Sequence, residues 1–177
     1  MKNKTMLKPQ DILILLKIAL LGEQSWLQQS LAQDLFISQS EISECISRAK
    51  YAGLMNAGGK KVNMLQFFEL LEHGVKYCFP QRPGAIVRGV PTAHAAAPLN
   101  GKIVSKEIYV WPYARGTARG QAIEPLYKTV PQAALQDTAL HEALALIDAI
   151  RVGRVREQEL AIVLLKKQLS HGATLAA

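Results

Sequence analysis

The chain is short of most features that mark an enzyme, a metal protein or a secreted scaffold. Its 177 residues hold two cysteines, Cys45 and Cys78. A single distant pair makes no disulfide framework in a chain this long, and reduced thiols in a cytoplasmic protein are the expectation. The four histidines, 73, 94, 141 and 171, are widely spaced and neither cysteine belongs to a CxxC pair. No metal-ligand spacing therefore exists, and neither a metal nor another cofactor is expected. The segment Gly116–Gly120 lacks the lysine and the strand–loop–helix setting of a phosphate loop. Cys78 can be drawn with His73 or His94 as a thiol–imidazole pair, but a structural cysteine is the commoner case. Without an acid–base pair, the chain is not expected to be an enzyme, and an enzyme acting on a phosphorylated substrate is the weakest of the readings considered. Long hydrophobic runs are missing too. The apolar stretch near the N-terminus is interrupted by Asp11 and Lys17, is followed by no small-residue cleavage site, and is too short to span a bilayer, so no signal peptide and no membrane partner are expected.

Apolar residues and positive charge are both plentiful. Hydrophobic residues make up 49% of the chain and charged ones 20%, enough for a packed core and too few charges for global disorder. The net charge is +7, which favours an anionic partner. That charge is unevenly placed. From Lys76 to Lys128 there are eight basic residues and two acidic ones, Glu107 and Glu124, a balance of 8 − 2 = +6. From Asp137 onward five basic residues face five acidic ones, a balance of zero.

Hydrophobic spacing predicts helices at both ends of the chain. Pro9 suits a first helical turn, Ile12, Leu15, Leu16, Ala19 and Leu20 recur at helical spacing, and Gly22 can end the helix. Ser25 is a candidate N-cap for a second helix over Trp26–Phe36, and a third is predicted from Gln39 to Ala52, closed by Gly53. Two short extended pieces around Gly58-Gly59 predict a small hairpin. Asn63 then begins a fourth helix through about Val75, with Leu65, Phe68, Leu70 and Leu71 on its apolar side. Between Phe79 and Pro131 lie seven of the eight prolines, which exclude long helices. Only Lys102–Trp111 reads there as a strand. Thr138–Val152 and Arg154–Leu169 again predict amphipathic helices, joined near Gly153.

The chemistry concentrates in Ser30–Lys50, SLAQDLFISQSEISECISRAK. A helix-turn-helix needs a small residue at the helix crossing, apolar residues pinning each helix, and a polar outer face on the second. Ala32 is the small residue, and Leu31, Leu35, Ile37, Ile42, Cys45 and Ile46 form the inward set. Ser38, Gln39, Ser40, Ser43, Glu44 and Ser47 face outward. Short hydroxyl and amide side chains let a helix approach base edges: Gln39 suits an adenine, and Ser40 or Ser43 suits a base or a phosphate. Arg48, Lys50, Lys60 and Lys61 are placed to reach backbone phosphates, whereas Glu41 and Glu44 oppose them.

Ser30–Leu54, with its LAxxLxISQSxIS phrase and Ala52-Gly53-Leu54, resembles the helix-turn-helix of winged-helix bacterial transcription regulators of the multiple-antibiotic-resistance regulator type. The resemblance covers about Pro9–Val75. It implies a recognition helix over Ser38–Ser47 and a wing tip over Gly58–Lys61; Phe36 replaces the glycine often found in the turn, and the wing is short.

The expected fold is mainly α: an N-terminal winged helix-turn-helix (residues 1–78), a Pro/Gly-rich extended basic arm with a short strand (79–131), and C-terminal helices (132–177). The expected function is a sequence-specific, double-stranded-DNA-binding regulator, most simply a homodimeric repressor joined through Thr138–Leu169. In the arm, Arg82, Arg88, Arg115 and Arg119 are interleaved with Trp111 and Tyr113, a combination that can grip phosphates, bases or an acidic groove. The alternative is therefore an adaptor or antitoxin-like protein whose arm binds a partner protein or RNA. Against both stands the plain reading of solvated surface loops.

Overall fold

The computed structural model describes residues 5–174; residues 1–4 and 175–177, the outermost parts of the first and last expected regions, lie outside the described residues. Helix α1 (Pro9–Leu21) runs through the centre, with Ile12, Leu13, Ile14, Leu15 and Leu16 all without solvent contact. A helix that is apolar on every side has no solvated face to keep, so it becomes the post around which others pack. Its start is fixed by Asp11, whose carboxylate accepts the Lys8 amide at 2.9 Å. Helices α2 (Gln28–Leu35) and α3 (Gln39–Tyr51) follow, and both pack on α1. Gly53, at φ +75°, takes the left-handed conformation that releases the chain from α3.

The next helix is longer than expected and not uniform. Met64–Glu69 (α4) passes through a π-helical turn, Leu70–Gly74, into Val75–Cys78 (α5). Its buried face is Phe67, Leu71 and Val75, while Leu65 is 78% exposed. The inward positions recur every four residues, and Leu65, which precedes the π-helical turn, falls off that row, so its expected place on the apolar side does not hold.

The middle of the chain overturns the expected fold class. The protein is not a mainly α chain with a winged N-terminus and an extended arm; it is a mixed α and β structure, 54% helical and 11% strand, with the sheet drawn from the supposed arm. Strand β1 (Ile86–Thr92) pairs antiparallel with β2 (Tyr109–Pro112) and with β3 (Ala118–Ala122), and β2 and β3 pair in parallel, so the three close on one another. The expected hairpin at Gly58-Gly59 shrinks to one isolated bridge, Met55 to Val62. A closed sheet this small brings backbones into contact. A Cβ on Gly89 would overlap the Trp111 carbonyl, and one on Gly120 would overlap the Ile108 carbonyl. Glycine is therefore the condition for closure, not a sign of disorder. Neither β1, which contains Gly89 and Pro91, nor β3, ARGQA, carries the β-branched alternation that announces a strand.

After β3 come α6 (Val130–Gln136), α7 (Thr138–Val152) and α8 (Val155–Thr174). Helix α7 starts at an Asp137 cap that accepts the Leu140 amide at 3.0 Å. It is buried along most of its length, touching α1, α8 and the sheet. One buried carboxylate ties the sheet to this helix. Asp148 accepts hydrogen bonds from the Trp111 indole (2.6 Å), the Thr92 hydroxyl (2.8 Å) and Arg151 (2.8 Å). The core is continuous from α1 through the sheet to α8. No helix among the described residues is long and apolar enough to cross a membrane.

Candidate nucleic-acid interface

The turn between α2 and α3 is built on a strained residue. Phe36 takes φ 55° in the left-handed region, where a glycine would cost nothing. Ile37, 5% exposed, then plugs the core, and the Ser38 hydroxyl accepts the Glu41 amide at 3.2 Å to cap α3. Ser38 is exposed, but its oxygen is engaged in that cap.

Helix α3 is divided lengthwise. Ile42, Cys45, Ile46 and Ala49 are buried, while Gln39, Ser40, Ser43, Glu44, Ser47 and Lys50 are exposed along the other side. Arg48 does not join them. It is 3% exposed, with Nε and a terminal nitrogen donating to the two Asp11 oxygens at 2.8 and 2.7 Å. The hydrogen bonds with Asp11 hold its guanidinium protonated above the usual range. A phosphate contact by Arg48 would require breaking this bidentate buried pair, so Arg48 fixes the rotation of α3 on α1 instead. Cys45 lies beside it. Burial, with the Asp11 charge, pushes its thiol well up, so it is a core residue and not a reactive one.

The basic turn after α3 is held from two sides. The Asn56 side chain accepts the amides of Lys60 (3.0 Å) and Lys61 (3.1 Å). The Trp26 indole donates to the Lys60 carbonyl at 3.1 Å, and the Lys60 ammonium sits 4.9 Å from the centre of that ring. Lys61 pairs with Glu23 at 2.6 Å, both largely exposed. Both ammonium groups remain at the surface, with Lys60 the less neutralised.

Sequence reasoning missed one contact. The Tyr127 hydroxyl donates to Glu41 at 3.1 Å, across 86 residues. Burial, then this bond and the Glu41 charge, push the phenol up from its ordinary value. One of the two carboxylates that oppose phosphate on α3 is thereby occupied by the segment following β3. Glu44 lies 3.4 Å from Arg48. No local pattern around Tyr127 could have announced this, because the contact depends on how α6 docks against α2.

The residues expected to grip a partner through the arm separate into two groups. Trp111 is 1% exposed and committed to Asp148, and Tyr113 is half-buried against the core. Trp111 therefore offers no ring to a partner: it is the central residue of β2, not part of an arm. Arg82, Arg88, Arg115 and Arg119 are all exposed. No protein-family model, curated protein or solved structure matches this chain.

Proposed function

We propose that the protein binds double-stranded DNA as a transcriptional regulator, with α3 entering the major groove. The observation that carries this reading is the division of α3: an exposed row of Gln39, Ser40, Ser43, Glu44 and Ser47, backed by a buried side of Ile42, Cys45, Ile46 and Ala49 that the Arg48–Asp11 pair pins to α1. Small hydroxyls and one amide keep that row low enough for the backbone to approach base edges, and Gln39 can pair with an adenine. Lys50, Lys60 and Lys61 supply backbone contacts, and a net charge of +7 supports attraction to the duplex. A helix pair of this kind commonly works as a dimer on two half-sites. Helix α7 is spent on the intrachain core, so the surface left for a second copy is the outer face of α8, where Val155 and Val163 are 71% and 63% exposed. Repression follows most simply from occupancy of a promoter.

Fluorescence anisotropy against the DNA upstream of the protein's own gene and a scrambled duplex tests the reading. Gln39→Ala/Ser43→Ala is expected to abolish the preference between the two. Equal binding of both duplexes by wild type and variant would overturn it.

A further inference from the structure

The register of the sheet sets Arg88 on β1 directly opposite Arg119 on β3. Directly opposed residues of an antiparallel pair project from the same face, and like charges in that position destabilise the pair. Both arginines are exposed, and among the described residues neither forms an ion pair or a side-chain hydrogen bond. A third arginine is brought to the same place. The Tyr113 amide donates to the Arg88 carbonyl at 3.1 Å, and the turn that follows is closed by the Gly116 amide on the Tyr113 carbonyl at 2.9 Å. In that turn Gly116 lies against the backbone of Gly89, so close that no Cβ would fit, and Arg115, exposed and also unpaired, precedes it. The only acidic residue from Ile86 to Ala122 is Glu107, which lies beyond the opposite end of β2 from Tyr113.

We infer that Arg88, Arg115 and Arg119 form a surface that binds nucleic-acid backbone phosphates. The inference deepens the proposed function and rests on it: α3 discriminates sequence, while the sheet adds binding that does not. Planar guanidinium forks match phosphate oxygens in pairs, and a polyanion relieves the repulsion that the fold leaves uncompensated.

The test is anisotropy on labelled duplexes of specific and random sequence across a salt series. For Arg88→Gln/Arg119→Gln, affinity is expected to fall by the same factor on both duplexes, and the slope of log K against log salt to drop by about 2, near 0.9 per lost phosphate contact. Arg88→Lys/Arg119→Lys should keep the slope and lose part of the affinity. Melting of the Gln variant should match or exceed wild type, because a repulsive pair has been removed. A lower melting temperature would show that the fold itself uses the pair, and would overturn the inference. An unchanged slope and affinity would overturn it as well, even if Gln39→Ala/Ser43→Ala still abolishes sequence preference. The reverse pattern, with the arginine variant defective and the α3 variant normal, would retain the surface and overturn the base-reading role of α3. Arginine-dependent binding of polyglutamate with no binding to DNA would overturn both in favour of an acidic protein partner.

Discussion

Pro9–Val62 and Ile86–Ala122 each carry five basic residues, yet the fold treats them in opposite ways. In the first, Lys17 bridges Asp34 and Asp137, Arg48 is locked on Asp11, Lys61 meets Glu23, and Lys60 lies over Trp26. In the second, none of Arg88, Lys102, Lys106, Arg115 and Arg119 has an ion-pair partner among the described residues. The acid count explains the difference: Asp11, Glu23, Asp34, Glu41 and Glu44 accompany the first set, and Glu107 alone accompanies the second. Positive charge in the helical region is largely consumed in assembly. In the sheet it is left over, and leftover charge is what a polyanion can use.

The comparison breaks most severely at the two buried carboxylates. Asp11→Ala removes the buried carboxylate that holds the Arg48 guanidinium, and Asp148→Ala leaves the Trp111 indole and the Thr92 hydroxyl without their acceptor and Arg151 without its carboxylate. Each is expected to cost about 3–5 kcal/mol in urea unfolding, the range for removing one partner of a buried pair. Asp11→Ala should also impair DNA binding, because α3 loses its anchor, whereas Arg88→Gln/Arg119→Gln should impair binding at no cost in stability. Gly89→Ala comes next. Its Cβ meets a backbone carbonyl that cannot swing aside, so a loss of several kcal/mol or failure of the sheet to close is expected in the same assay.

Smaller effects sharpen the picture. Tyr127→Phe removes the hydroxyl from Glu41, and a stability loss of about 0.5–1.5 kcal/mol is expected. Its sharper signature is weaker binding to every duplex, because Glu41 then faces phosphates unmasked. The smallest effect is the pH dependence of the Lys17–Asp137 bridge. Burial disfavours both charges, but the Lys17 hydrogen bond and the helix amides outweigh it and hold the Asp137 carboxyl below its usual value. Lys17 is likewise raised overall: burial lowers it, but the bond and charge of Asp137, with Asp34, prevail. A depressed carboxylate contributes stability above its unfolded value, about pH 4, and loses it as pH falls through the folded value. Asp137→Asn keeps a competent cap and removes the charge. Its melting temperature should fall slightly below that of wild type near neutrality, and the gap should close in acid.

The helices that local signals define were readable in advance. Gly53 at the end of α3, Ile42, Cys45 and Ile46 inward, and the bounds of α7 all follow from residues within a turn or two of one another. The expectation failed first at Leu65, an apolar residue that lies off the inward row of Phe67, Leu71 and Val75. It failed entirely in the sheet. Prolines and glycines from Phe79 to Pro131 suggest an arm because they punctuate local structure, yet Gly89, Gly116 and Gly120 are where the backbones of the sheet touch.

What the sequence determined by itself is therefore the helical frame and the polar outer side of α3, since both depend on spacing along one element. Tertiary structure alone decided which charges are free. Asp11 lies 37 residues from Arg48 and Glu41 lies 86 from Tyr127. Arg88 meets Arg119 only through strand register. Pairing across such separations depends on how elements dock, and no local periodicity records it.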